Sequence, residues 1–193
     1  MLQMQLSEVA RKLVSDKLSE HQKRLKHVLG VCEMAELLAK RYNVDVEKAK
    51  IAALMHDYSK YDDPNEFEYM LNDQEKEECK KYPFLYHAYL SAYNYKLRFE
   101  YDEDIYNAIH NHVFGRCGMS ILEEIIMIAD FTEKNREYPD CIRCREILLN
   151  GDMDRAIYES LLATTKHCNE NGSVAHPEQL KVLEEYKRKV FNK

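Results

Sequence analysis

The sequence predicts an all-α fold. Nearly every segment of the 193 residues repeats its apolar positions with helical period, no stretch alternates like a half-buried strand, and only five glycines and four prolines interrupt the chain. At this length we expect a single domain, residues 1–193, with a sizeable core. No apolar run reaches the roughly 18 residues of a membrane span, and the start, Met1 to Glu8, lacks the charged-then-apolar order of a leader peptide. The six cysteines are therefore read as reduced thiols and the protein as cytoplasmic, without a membrane partner. A net charge of -6 argues against a surface that coats nucleic acid, but it leaves room for a small polyphosphate met by local cations.

The elements follow in order. A first helix runs near Gln5 to Lys17, with Leu6, Val9, Ala10, Leu13 and Val14 on one face. Ser19, with Gln22 three residues on, reads as the cap of a second helix. On that helix His27 shares its side with Val31, Met34 and Leu38, so its imidazole is expected to face inward, and Arg24 lies one turn before it. Asp45 caps a third helix whose apolar run, Ile51 to Met55, ends in His56 and Asp57. Lys60 follows at the start of a polar loop. Residues 61–82 read as short solvated helices, in which the run Asp73 to Glu78 suggests no chemistry.

A tyrosine-rich helix then spans about Phe84 to Phe99, with Tyr86, Leu90, Tyr93 and Leu97 marking its apolar side and His87 at the edge. Asp102 caps the next helix, where Ile105, Ala108, Ile109 and His112 form one stripe and His110 is expected to turn toward solvent. Gly115-Arg116-Cys117-Gly118 breaks it with a loop able to bring backbone N–H groups near a phosphate. Ser120 and Glu123 open another helix as a capping-box pair; Asp130 sits on its buried face, one turn after Ile126. Arg136 follows in a polar loop, and Cys141-x-x-Cys144, with no second cysteine pair, falls inside a helical pattern that favours a structural role. Two last helices run from about Asp152 to Cys168 and from Pro177, with Ile157, Leu161, Leu162, Leu180, Leu183 and Tyr186 as core; His176 reads as a loop residue.

A buried helix that ends in an imidazole and a carboxylate needs a partner for both, because an unpaired charge against an apolar wall costs several kcal/mol. His27, His56-Asp57, His112 and Asp130, on successive helices, point to a metal ion as that partner. An ion held by such donors lowers the pKa of a coordinated water and withdraws charge from a phosphoryl oxygen. That is the chemistry of phosphoanhydride hydrolysis, with Lys60, Arg24 and Arg136 placed to neutralise the polyphosphate. The mixed nitrogen and oxygen set suits iron or manganese better than calcium.

Arg24-Leu25-Lys26-His27-Val28-Leu29-Gly30-Val31, Ala53-Leu54-Met55-His56-Asp57-Tyr58-Ser59-Lys60, Ala108 to Arg116, Gly118-Met119-Ser120, Glu123 to Asp130, and Arg136 together resemble the YqeK branch of the HD superfamily of metal-dependent phosphohydrolases, from about residue 20 to 180. The resemblance implies symmetrical hydrolysis of diadenosine tetraphosphate to two ADP at one or two iron ions. It implies His27, His56, Asp57 and Asp130 as first-metal ligands, with Asp57 and Lys60 catalytic. His87 and His112 would hold a second metal or contact phosphate, and Arg24, Arg116, Arg136 and His176 would border the nucleotide. The chain departs from the family at His110, where a basic residue is usual, at Val113, a frequent threonine, and at Lys134-Asn135, a common Pro-Gly. Competing readings are an HD phosphohydrolase acting on a nucleoside monophosphate, a deoxynucleotide or a guanosine alarmone, a non-catalytic nucleotide or metal sensor, and a bundle whose histidines are structural. The apolar stripes are also compatible with a homodimer interface.

Overall fold

A computed structural model describes residues 5–192; Met1 to Met4, where the reading of the leader begins, lie outside them. Among the described residues the regular elements are all helical: α1 (Leu6–Lys17), α2 (Gln22–Arg41), α3 (Val46–Met55), α4 (Pro64–Phe67), α5 (Asp73–Lys81), α6 (Tyr86–Arg98), α7 (Glu103–His110), α8 (Ile121–Thr132), α9 (Pro139–Leu149), α10 (Met153–Glu170) and α11 (Pro177–Phe191), with 3-10 turns at Glu68–Met70 and Pro83–Leu85.

The third helix is the hub. Ile51, Ala52, Ala53, Leu54 and Met55 are all buried, as expected of a helix whose second half is apolar all round. It packs against α1, α2, α7 and α8, and α6 touches it more lightly. Its start is fixed by Asp45, whose carboxylate accepts from the N–H groups of Glu47 and Lys48 at 2.8 and 3.1 Å. Its end delivers His56 as the C-cap, so the imidazole and the next carboxylate enter the centre of the bundle. Asp102 likewise caps α7, Asp152 caps α10, and Ser120 with Glu123 forms the capping box of α8.

Several expectations fail for local reasons. Ser19 is not a cap: α2 starts at Gln22 after His21, and the Gln22 amide donates instead to the Ser19 carbonyl at 2.6 Å. The helix expected from Phe84 begins as the 3-10 turn Pro83–Leu85 and is α-helical only from Tyr86. Its inner face carries His87, Leu90, Ser91, Asn94 and Tyr95, leaving Leu97 exposed. Leu6, Leu162 and Leu180, assigned to the core, are also exposed, because each lies at the margin of its stripe. Among the described residues no helix is long and apolar enough to cross a membrane.

Candidate metal centre

Four helices converge on one cluster. His27 comes from the first half of α2, His56 and Asp57 from the end of α3, His87 from the start of α6, and Asp130 from α8. His112 lies two residues beyond the end of α7, where the apolar stripe still carries it inward. His56, Asp57 and His112 are almost completely buried, His27 and His87 nearly so, and Asp130 is partly open.

Each inner histidine is held by its back nitrogen. His56 Nδ1 donates to the Ala53 carbonyl at 2.6 Å, and His112 Nδ1 donates to the Ile109 carbonyl at 2.7 Å. His27 Nδ1 lies 3.2 Å from Glu133 Oε1. Acceptors at these positions fix the proton on Nδ1 and present the Nε2 lone pair to the cluster. There His27 Nε2 lies 3.0 Å from Asp130 Oδ1 and 3.8 Å from Asp57 Oδ2, and His56 Nε2 lies 3.4 Å from Asp57 Oδ2. On the other side of the carboxylate, His87 Nε2 lies 3.2 Å from Asp57 Oδ1 and 3.2 Å from His112 Nε2.

Three buried atoms in this cluster, His27 Nε2, His56 Nε2 and Asp57 Oδ1, have no hydrogen-bond partner. Orphaned lone pairs facing a common centre call for a ligand, and imidazole with carboxylate is a donor set for a divalent metal. Three sets, each within 4.8 Å internally, could hold an ion: His27 with His56 and Asp57, His56 with His112 and Asp130, and Asp57 with His87 and His112. The residues present therefore fit a divalent metal ion.

The charges are set for it. Burial opposes ionisation of Asp57, but His56 and His87 hold its carboxyl well below the usual carboxylate range. Burial opposes that of Asp130 as well, and His27 and Arg136 hold it well below the range. Burial, with His56 and His87 nearby, pushes His112 down to about 3, so it stays neutral and able to coordinate. Cations ring the two carboxylates. Arg24 Nη1 donates to Asp57 Oδ2 at 2.8 Å, and Arg136 donates through Nη2 to Asp130 Oδ1 at 2.8 Å and through Nε to the Asp130 carbonyl at 2.6 Å. Lys60 Nζ lies 3.8 Å from Asp57 Oδ1 and 3.2 Å from His87 Nε2, and burial lowers its pKa.

Two predicted residues stand apart from the cluster. Arg116 pairs bidentately with Glu123 at 2.7 and 2.8 Å. His176 is not a plain loop residue: it caps α11, accepting from the Glu178 N–H through Nδ1, while Nε2 lies 3.0 Å from Glu78 Oε1 and the ring stacks on Phe114. Both line a cleft of about 640 Å³ with His110, Asn111 and Lys81. His110 does not turn to solvent; its Nε2 lies 2.9 Å from Glu75 Oε1 and its ring stacks on Tyr89. The acidic run Asp73 to Glu78 thus has a role, since Glu75 and Glu78 of α5 hold these two histidines.

Sequence reasoning missed Glu133. It is buried at the C-cap of α8, and its Oε2 accepts from the backbone and side-chain nitrogens of Asn135 at 2.7 and 2.8 Å. The signal was its spacing of three from Asp130, which puts both carboxylates on the same side of the helix. Gly30 makes the approach possible: a Cβ there would meet Glu133 Oε2 at 2.2 Å. Arg145 was missed as well. Its guanidinium donates to the carbonyls of Thr132, Glu133 and Arg136 at 2.5, 2.6 and 2.6 Å, gathering the α8–α9 connection around one side chain. Cys141 and Cys144 are buried on α9, and burial pushes the Cys144 thiol up to about 12, the state of an inert thiol.

The HD domain model matches residues 24–135, the segment that supplies all of these candidate donors. A symmetrical bis(5'-nucleosyl)-tetraphosphatase of Halalkalibacterium halodurans is 36% identical over 89% of this chain and 91% of its own length. A Bacillus subtilis protein of the same name is 36% identical over 81% of this chain and 84% of its own. A crystal structure from Clostridium acetobutylicum, described as a predicted HD superfamily hydrolase involved in NAD metabolism, superposes with a TM-score of 0.83 at 30% identity, covering 94% of this chain and 97% of that one. The chain belongs to the HD-domain family, and within it to the YqeK branch.

Proposed function

We infer that this chain hydrolyses diadenosine tetraphosphate symmetrically, releasing two ADP, at the metal centre formed by His27, His56, Asp57, His87, His112 and Asp130. The observation that carries the reading is the set of orphaned, buried donor atoms ringed by Arg24, Lys60 and Arg136, in a chain similar over most of its length to proteins named for this reaction. Asp57 stands between the His27–His56 pair and the His87–His112 pair, which suits it to be shared by two ions. Iron is our assignment, on the resemblance to the YqeK branch; the mixed nitrogen and oxygen donors suit iron and manganese alike. All six cysteines are free thiols, which supports a cytoplasmic setting.

When bound, such an ion supplies an activated water near neutral pH and withdraws charge from the phosphoryl oxygen. The residues of the chain do the rest. The Nδ1 contacts of His27, His56 and His112 keep the Nε2 atoms aimed inward, so little reorganisation is needed as the substrate binds. Asp57, ionised and buried, can orient the attacking water. Lys60 is near enough to offset charge on the departing phosphate, while Arg24 and Arg136 are placed to grip the phosphates on either side. Arg116 and His176 place one nucleoside diphosphate in the cleft they line.

The test is an anaerobic assay of iron-reconstituted enzyme with diadenosine tetraphosphate, all nucleotides resolved by chromatography, beside Asp57→Ala. ADP alone, absent in the variant, is the expected result. ATP with AMP would overturn the cleavage position, and turnover of a different nucleotide only would overturn the substrate.

A further inference from the structure

Of the four histidines at the metal centre, His27, His56 and His112 are each held from behind through Nδ1. His87 is placed otherwise. Its Nδ1 lies 3.4 Å from Lys60 Nζ, the end of a long side chain rather than a carbonyl or a braced carboxylate. The ring is therefore only as well placed as the helix that carries it, and α6 packs lightly on α3. What sets the register of α6 is a polar stripe. His87, Ser91, Asn94 and Arg98 follow one another at spacings of four, three and four, along one face of the helix. Ser91 and Asn94 are buried, and polar side chains in an apolar interior need specific partners. Those partners lie on the turn that carries Asp57 and Lys60. There the Tyr58 and Lys60 N–H groups donate to carbonyls three residues back, at 3.1 Å each, but the Ser59 N–H donates across to Ser91 Oγ at 3.0 Å. The buried Ser59 Oγ accepts from Asn94 Nδ2 at 2.9 Å, and the same amide reaches the Leu90 carbonyl at 3.1 Å. Arg98 closes the outer end: it donates to Asn94 Oδ1 and to the Asn94 carbonyl, and its guanidinium lies 5.1 Å from the centre of the Tyr58 ring. A shift of α6 by one residue would turn the stripe by about 100° and leave the Ser59 N–H and the Asn94 amide unsatisfied in the core.

We propose that Ser59, Ser91 and Asn94 are positioning residues for the reaction: their hydrogen bonds lock α6 to the Asp57–Lys60 turn and so fix His87 and Lys60 against Asp57. The inference deepens the function given above, and its kinetic consequence rests on that reading. The centre is held in two different ways. Glu133 fixes the His27 ring and the Ala53 carbonyl fixes that of His56, so neither needs the seam. His87, whose Nε2 lies 3.2 Å from Asp57 Oδ1, does need it. Loosening the seam displaces the imidazole and the lysine on one side of Asp57, while Arg24 and Arg136 keep their hold on the two carboxylates. Misplacement at the reacting centre with the outer cations in place lowers the rate of the chemical step more than it weakens substrate binding.

The experiment uses the full chain with Ser91→Ala, with Asn94→Ala and, as a control for lost stability alone, with Ile157→Val in the core of α10. The first readout is taken without metal: the imidazole resonances in two-dimensional NMR, those of His87 assigned by their loss in His87→Gln. In both seam variants the His87 signals are expected to shift or split while those of His27 and His56 keep their wild-type positions, and in the control all should keep them. Unchanged His87 signals would overturn the proposal. So would movement of His27 and His56 to the same extent, the sign of a general loss of structure. Ser91→Ala, which removes a single acceptor, carries the test if Asn94→Ala does not fold. The second readout is the turnover of diadenosine tetraphosphate by the iron-loaded enzyme. A fall in kcat of about tenfold or more, with KM within about twofold of the wild type, is expected in the seam variants. A rise in KM with kcat kept would overturn the positioning role. A wild type that does not cleave the dinucleotide would overturn the function reading instead, and the NMR readout would still decide the seam.

Discussion

Glu133 reaches the metal centre only through His27: its Oε1 lies 3.2 Å from His27 Nδ1, while its other oxygen is spent on the two nitrogens of Asn135. A carboxylate in this position fixes the ring's rotation and its tautomer, and raises the basicity of the nitrogen that faces the ion. Glu133→Gln keeps the shape and removes the charge. We expect metal affinity about 10 to 100-fold weaker, read as iron per chain against a competing chelator, with the circular dichroism of the wild type. Unchanged iron retention would show that His27 needs no such support.

Gly30 is the counterpart of that contact on α2. Alanine at this position would place a methyl carbon 2.2 Å from Glu133 Oε2 and 2.8 Å from Asn135 Nδ2, in a place where neither group can retreat without losing a partner. Gly30→Ala is expected to destabilise by about 1 to 3 kcal/mol, measured in urea, and to weaken metal binding. In the double variant with Glu133→Ala the methyl has room, so the cost should be well below the sum of the two single effects. Simple additivity would mean that the two residues do not meet.

The acid side of the stability profile should belong in part to His112. In the metal-free fold its ring is pushed down to about 3, against about 6.5 in the unfolded chain. Between those values the unfolded chain binds a proton that the folded one refuses, so stability rises with pH across this window and is lost on acidification. The loss from pH 6.5 to about pH 5 should approach 2 kcal/mol, and His112→Asn, whose amide can replace the Nδ1 donor, should flatten it. His27 acts in the opposite sense. Against its burial, Asp130 and Glu133 raise its pKa, so its contribution is complete below about 6.5 and is lost as pH rises through the folded value. Urea midpoints at several pH values, with chelator present, test both signs.

Arg136 holds Asp130 by a planar, two-donor grip on its carbonyl and its carboxylate. Arg136→Lys retains the charge and loses the geometry. Because the pair with Asp130 is partly buried, we expect a fall in kcat/KM for diadenosine tetraphosphate of about tenfold or more, with iron content kept. A loss of iron in step with activity would assign the arginine to holding Asp130 in place instead.

How far the sequence reaches into this structure depends on the distance over which each feature is determined. Asp45, Asp102 and Ser120 were readable as caps because a side chain and an N–H two or three residues away are enough to make one. His27, His112 and Asp130 were readable because each continues an apolar stripe that has to face inward. His110 and His176 were misjudged, since their partners Glu75 and Glu78 come from α5, a polar helix with nothing in its own pattern to say what it meets. Leu97 and Leu162 erred the other way: they extend apolar stripes past the last neighbour able to cover them. Gly30 and Arg145 show their purpose only once distant segments are brought together.

Arg145 stands outside the cluster, yet its guanidinium closes over the carbonyls of Thr132, Glu133 and Arg136. Those three groups lie at the end of α8 and in the connection after it, where carbonyls lack intrahelical partners and would otherwise rely on solvent. With one planar cation joining them, the segment that presents both the anion behind His27 and the cation beside Asp130 is set when the chain folds. An arriving nucleotide then meets a finished edge of the site, and the entropy of ordering that loop falls on folding rather than on each catalytic cycle.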